Sequence, residues 1–320
     1  MLITLTEAVH KLQAGELVAI PTETVYGLAG DATNEAALRK IYALKQRPLD
    51  NPLIVHIADI SQVQHWAAEF PPLAETLARA FWPGALTLVL PAQPQVSSIV
   101  RGGQSTVALR VPSHPLALQI LKLSGLALAA PSANQFTQLS PTTAAHVRAG
   151  LGDELAVLDG GACAIGIEST IVQVAGDNWR VLRQGMISEA AIAEIAAIAA
   201  IAAKPALTTL QAVKAPGQHH VHYSPQTPLH LYATRLALLA ESQRLAAQNS
   251  PHAALLFGAG ELPLCQNIVL ADEANQAAHA LYSALHQLDA LNCKQLLVEL
   301  PPNTPTWLAI LDKLRRAAQG

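Results

Sequence analysis

The sequence predicts two α/β domains joined by an extended linker, and three observations lead to that expectation. Short β-rich runs alternate with stretches of helical periodicity over the first two thirds of the chain. The segment KPALTTLQAVKAPGQHHVHYSPQTP then breaks the rhythm with four prolines and three clustered histidines. A shorter α/β alternation follows it. With 320 residues and 51% hydrophobic content, the chain has enough apolar material for about two cored domains.

In chain order, MLITLTEAVHKLQAGE has amphipathic helical spacing and acidic residues, which reads against an export signal. GELVAIP is a strand, and IPTETVYGLAGDA is the binding loop expected to emerge from its end. NEAALRKIYALK is a helix, PLIVHIA a strand, PPLAETLARAF a helix, and ALTLVLPA and STVALRVP two further strands. HPLALQILKLSG is a helix, LALAAPSAN a strand running into a loop, and PTTAAHVRAG a helix. LAVLD, STIVQVA and WRVLR complete the strands. Because these strands are apolar on both faces, they suit a sheet covered on both sides, with antiparallel pairing among the closely spaced last ones. The stretch from Ala190 to Ala203 falls short of the roughly 20 apolar residues of a bilayer span and reads as a buried amphipathic helix. After the linker, LHLYA, AALLFG, NIVLA and QLLVEL alternate with helices to give a small Rossmann-like α/β unit. Its FGAGELP glycines do not form a dinucleotide-binding fingerprint. The domain division expected is 1–203, a linker over 204–227, and 228–320.

Charged residues make up only 13% of the chain, aromatics 4%, and the formal net charge is −3. That balance argues against a surface devoted to nonspecific nucleic-acid wrapping. Three widely spaced cysteines, Cys163, Cys265 and Cys293, fit a reducing compartment better than a disulfide framework, so a cytoplasmic location is expected.

In such a weakly charged chain, cations at the ends of elements stand out. Lys45 and Arg47 flank the end of the first long helix, and Pro48 puts Arg47 in an extended conformation. The bland reading is that both merely complement the helix dipole, worth about 0.3–1 kcal/mol. Thr22 and Thr24 follow a buried strand, where ordinary turn chemistry would also place them. A lone His56 on an apolar strand is more often a satisfied core residue. The His219, His220 and His222 cluster lacks the cysteines or helical frame of a zinc site, and no metal ligand is assigned.

Taken together, these segments point further. PTETVYGL, followed by K-x-R-P-x-x-N-P-L-I-V-H, strongly resembles the YrdC-like L-threonylcarbamoyladenylate synthases. WPGALTLVL, TVALRVPSHP, APSAN, SPTTAAHV, DGG, GIESTIV and LRQG then follow in the family's order across the first domain. The resemblance implies a YrdC-like twisted open sheet domain in the two-domain type. The implied enzyme is a nucleotidyltransferase that joins L-threonine, bicarbonate and ATP into threonylcarbamoyl-AMP with release of pyrophosphate, for tRNA modification.

The resemblance also implies roles. Lys45, Arg47, Ser132 and Asn134 line the catalytic cleft around the nucleotide. Thr22, His56, Arg110 and Ser169 hold threonine, with Arg110 on its carboxylate. Thr106, Ser140 and Arg183 touch ATP. His220 stands where the family places a tyrosine against the nucleotide, and the linker lies over the site mouth. Magnesium arrives with ATP, and bicarbonate is the co-substrate. The unstable product passes to a tRNA threonylcarbamoyl transferase complex, weak RNA binding is permitted, and no membrane is involved. The closing LDKLRRAA helix is expected to pack, with Arg315 and Arg316 solvated. Lys45→Ala or Arg110→Ala is expected to abolish synthesis and leave the fold intact.

Two other readings exist. An RNA-binding module of a translation-related complex would want basic runs and stacking aromatics, which are missing. The related domain of hydrogenase maturation proteins sits beside cysteine pairs, and this chain has no C-x-x-C.

Overall fold

The structure, a computed structural model, describes residues 1–198, 213–217 and 222–320. Ten strands form one mixed sheet: β1 (Leu2–Ile3), β2 (Val18–Ile20), β3 (Gly27–Asp31), β4 (Ile54–His56), β5 (Leu86–Pro91), β6 (Thr106–Arg110), β7 (Leu128–Ala129), β8 (Ala156–Leu158), β9 (Thr170–Ala175) and β10 (Asn178–Arg183). Their order across the sheet is β1-β8-β2-β3-β7-β4-β6-β5-β9-β10. The intervening helices are α1 (Leu5–Gln13), α2 (Glu35–Lys45), α3 (Val63–Trp66), α4 (Pro72–Phe81), α5 (Ser98–Arg101), α6 (Pro115–Ser124), α7 (Ala144–Leu151) and α8 (Glu189–Ile198).

Continuous burial along the strands has a simple cause, because successive side chains enter cores on opposite faces. Ala19 joins the cluster built with Leu38, Ile41 and Leu77, while its neighbours Val18 and Ile20 join Ala8, Leu12 and Ile120. β5 divides in the same way: Leu86, Leu88 and Leu90 enter the main core, and Val89 meets Ile54, Ala108, Ile171 and Ala215. The linker therefore covers part of one sheet face. Of the stretch read as an alanine-rich helix, α8 accounts for residues to Ile198, with Ile192 and Ala196 in the main core; the rest lies outside the described residues.

One sequence expectation is corrected. GLAGD, read as part of the binding loop, is strand β3, paired antiparallel with β2 and β7. Two glycines and an alanine carry little β propensity, but Gly27 and Gly30 allow close approach: a Cβ on Gly30 would lie 2.9 Å from Leu17. The binding loop is correspondingly shorter.

A second, fully parallel sheet, ordered β11-β14-β12-β13, comprises β11 (Leu229–Tyr232), β12 (His252–Phe257), β13 (Gln266–Leu270) and β14 (Gln295–Glu299). It carries α9 (Arg235–Ala247), α10 (Ala274–Asp289) and α11 (Leu308–Ala317). The two domains share a core cluster in which Val25, Leu139, Ile167 and Tyr223 meet Tyr282 and Leu314. No helix among the described residues is long and apolar enough to cross a membrane.

Candidate active site

A small cavity opens where the ends of β2, β4, β6 and β9 meet the APSAN loop and the linker. Parallel pairing of β4 with β6 places His56 opposite Arg110, so both strands deliver their last residue to one place. At the end of β2 the chain makes a tight hydroxyl-capped turn. Thr22 Oγ1 donates to the Val25 carbonyl at 2.5 Å and accepts from the amides of Thr24 and Val25 at 3.2 Å each.

Arg110 reaches this turn. Its guanidinium donates to Glu23 Oε1 at 2.6 Å, Thr24 Oγ1 at 3.0 Å and the Gly84 carbonyl at 3.1 Å. The pair is buried, with Arg110 3% and Glu23 5% exposed. Burial, the largest single influence, would raise the Glu23 pKa, but the charge and hydrogen bond of Arg110, with the nearby Glu23 and Ser113 amides, together outweigh it and the net shift is downward. Arg110 thus has an internal partner that the sequence reading did not foresee. His56 lies alongside. Burial first, and then the Arg110 charge, push its imidazole down to about 3, which keeps it neutral at physiological pH.

On the opposite wall, α2 ends at Gln46 in the left-handed conformation, which turns Lys45 and Arg47 inward. Lys45 does not serve the helix carboxyl end. Its Nζ donates to the carbonyls of Ser132 and Asn134, tying α2 to the APSAN loop. Arg47 donates to the Pro52 carbonyl at 3.1 Å and stands 5.7 Å from the centre of the Phe136 ring. Burial, followed by the Arg47 charge, lowers the Lys45 pKa well below the usual lysine value, and burial brings Arg47 down to about 10.

The third wall comes from GIESTIV and LRQG. Arg183 donates from Nε to the Ser169 carbonyl at 3.0 Å, from Nη2 to Ser169 Oγ at 3.0 Å, and from Nη1 to the Pro216 carbonyl of the linker at 3.2 Å. Ser169 Oγ also meets Thr87 Oγ1 at 2.7 Å. Gly217 follows with φ +84°, and a Cβ there would lie 2.3 Å from Tyr223 Oη. Only glycine fits this crossing of linker and site.

Of the residues chosen from sequence, Thr22, Arg47, His56, Arg110, Ser132, Ser169 and Arg183 line the cavity. Lys45 and Asn134 stand just behind the Ser132 wall, with Asn134 donating to the Gln135 and Gln138 carbonyls at 2.8 Å. Ser140 is one bond further back, donating to Glu168 at 2.5 Å. Thr106 shares a strand face with Arg110 but begins β6, roughly 13 Å away at 3.3 Å per residue, and does not line the cavity. His219 and His220 lie outside the described residues. His222 does line the cavity, beside Tyr223.

Sequence reasoning missed Glu23, Glu168 and Tyr223. It also read the last helix as packing alone, whereas Lys313, 1% exposed on α11, donates to the Gln184 carbonyl at 3.0 Å and sits 5.2 Å from the centre of the Tyr223 ring.

Residues 10–185 match the Sua5, YciO and YrdC family model, described as telomere recombination. The chain belongs to that family. Residues 187–319 match the model of the threonylcarbamoyl-AMP synthase C-terminal domain. A threonylcarbamoyl-AMP synthase of Bacillus subtilis is 39% identical over 326 residues, covering 99% of this chain and 93% of its own. One from Schizosaccharomyces pombe is 34% identical, covering 94% and 84%. A crystal structure of Pyrococcus abyssi Sua5 complexed with L-threonine superposes with a TM-score of 0.89 at 34% identity, covering 98% of this chain and 94% of that one.

Proposed function

We propose that the chain is a threonylcarbamoyl-AMP synthase, joining L-threonine, bicarbonate and ATP with release of pyrophosphate. The single observation that carries this reading is the convergence of Arg47, Arg110 and Arg183 on one buried cavity, with Lys45 behind it, in a chain of that family. Bicarbonate, the threonine carboxylate and a triphosphate are all anions. They come together only where fixed cations offset their repulsion, and in a water-poor cleft those charges act far more strongly than in bulk water.

In the proposed reaction the threonine amine attacks the bicarbonate carbon, forming an N–C bond and releasing water to leave a carbamate. A carbamate oxygen then attacks the α-phosphorus, and the bond to the bridging oxygen breaks to expel pyrophosphate. Alignment and charge neutralisation supply the catalysis. Thr22, His56, Arg110 and Ser169 are assigned to threonine. Neutral His56 offers a hydrogen-bonding nitrogen without a further charge. Lys45, Arg47, Ser132 and Asn134 are assigned to the reacting phosphate, and Arg183, Ser140 and Thr106 to the nucleotide, Thr106 at the far end of its extended form. His220 is proposed to complete the nucleotide contact. Magnesium enters on the triphosphate.

The division proposed is a synthase domain over 1–203, a linker over 204–227 and a second domain over 228–320, supported by the confinement of the two sheets to residues 2–183 and 229–299. The product serves threonylcarbamoylation of tRNA in the cytoplasm, handed to a transferase complex.

The test is to incubate the protein with ATP, magnesium and bicarbonate, with and without L-threonine, and to follow pyrophosphate. Threonine-dependent release is expected. Turnover that ignores threonine, or none at all, rejects the assignment.

A further inference from the structure

We infer that the second domain is a working part of this site: Tyr282, on α10, keeps the cavity's one lining carboxylate, Glu168, away from the arginines that anionic substrates need. The inference rests on the synthase reading only in taking those substrates to be anions.

Among the described residues that line the cavity, Glu168 is the sole acidic side chain, and it is 6% exposed. A buried carboxylate beside guanidinium groups would ordinarily pair with one of them. Arg183 is close at hand, bound to the carbonyl and hydroxyl of the next residue, Ser169. Yet among the described residues Glu168 makes no ion pair. Two neutral hydroxyls satisfy it instead. Ser140 Oγ donates to Oε1 at 2.5 Å, and Tyr282 Oη donates to Oε2 at 3.0 Å. Neutral donors meet the hydrogen-bonding need of a buried carboxylate without consuming a cation.

The placement of Tyr282 is fixed by the backbone as well. Gly166, with φ +83°, lies flat on α10, where a Cβ would fall 2.5 Å from the His279 carbonyl oxygen and 2.6 Å from that of Ala278. His279 Nδ1 is 3.1 Å from the Ala164 carbonyl oxygen. The loop that ends in Glu168 and Ser169 is therefore seated on α10 one turn before Tyr282. Burial, and then the Glu168 charge, raise the Tyr282 pKa well above the usual tyrosine value, so its hydroxyl stays protonated and can donate.

Without that hydroxyl, Glu168 Oε2 is left with no donor among the described residues, and the carboxylate is expected to swing to Arg183. The cavity then loses a cation. Tyr282→Phe keeps the ring, whose centre is 5.8 Å from that of Tyr223, and removes only the hydroxyl. Losing a hydrogen bond to a charged group should weaken ATP binding about tenfold.

The experiment is a cycle of four full-length proteins: wild type, Tyr282→Phe, Glu168→Gln and the double variant. ATP affinity is measured by calorimetry without threonine, and KM and kcat with threonine and bicarbonate. In the glutamate background, Tyr282→Phe should raise the ATP Kd and KM and leave kcat near wild type. In the glutamine background the same change should have little effect, because a neutral amide does not capture Arg183. A purely structural role for Tyr282 would cost the same in both backgrounds, and that result overturns the inference, as does wild-type affinity in Tyr282→Phe. Should Tyr282→Phe be too unstable to assay, the same cycle with Tyr282→Leu, which also removes the hydroxyl donated to Glu168 Oε2, is read as ATP affinity at a temperature where all four proteins are folded. A wild type that binds ATP but makes no threonine-dependent product rejects the synthase reading, while the binding cycle still decides this one.

Discussion

Truncating Arg110 to alanine removes a guanidinium held by Glu23, Thr24 and Gly84, and it leaves Glu23 behind. That carboxylate is 5% exposed, and its Oε2 has no partner among the described residues, so Arg110 compensates nearly all of its charge. Stranding one member of a buried ion pair costs about 3–5 kcal/mol. At about 2–4 °C per kcal/mol for a chain of this order of size, the melting temperature should fall by about 6–20 °C. The expectation from sequence, that this variant keeps its fold intact, is therefore revised to a large loss of stability. Adding Glu23→Gln removes the stranded charge and should recover most of the lost stability, but not the activity, because the cation proposed to hold the threonine carboxylate is still missing. Scanning calorimetry on the single and double variants, run beside threonine-dependent pyrophosphate release, separates the two effects. An Arg110→Ala protein that melts with the wild type, or a double variant no more stable than the single, would refute the reasoning.

Two further outcomes follow from the same geometry. His56 has a folded-state pKa of about 3 against an ordinary 6.5, so between these values the unfolded chain binds the proton and the folded chain does not. Stability from this residue is full above pH 6.5 and is lost as pH falls, by about 2 kcal/mol between pH 7 and pH 5. Denaturant titrations at the two pH values should show the loss, to which the buried and likewise down-shifted His146 and His222 add, and His56→Gln should reduce it by about 2 kcal/mol; an undiminished loss would contradict the assignment. At Gly217, where a Cβ would fall 2.3 Å from Tyr223 Oη and φ is +84°, alanine must displace the linker or Tyr223. Strain of this kind costs about 1–3 kcal/mol, so the melting temperature should fall by several degrees and kcat/KM about tenfold or more. Wild-type kinetics in Gly217→Ala would show that the linker crossing is unimportant.

The sequence was most legible where function and local pattern coincide. Helix α2 could be read from its period, and Lys45 and Arg47 from their place at its end. His56 and Arg110 end apolar strands, a position that favours site residues, although only pairing of β4 with β6 sets them side by side. β3 was not legible because Gly27, Ala29 and Gly30 lack strand propensity and owe their conformation to neighbours on both sides. The partners of the cations were equally hidden. Glu23 lies 87 residues from Arg110, and Tyr282 lies 114 residues from Glu168 in another domain. No local period signals contacts of that span. Lys313 falls within a strongly amphipathic helix, and only its burial against Gln184 and Tyr223 distinguishes it from a solvated lysine.

The most direct test of the central claim uses radiolabelled bicarbonate. Supplied with ATP, magnesium and L-threonine, the protein should move the label into an AMP-linked product in amounts matching the pyrophosphate released, and omission of threonine should abolish both. Pyrophosphate release without bicarbonate label in the product, or label that enters without threonine, would contradict it.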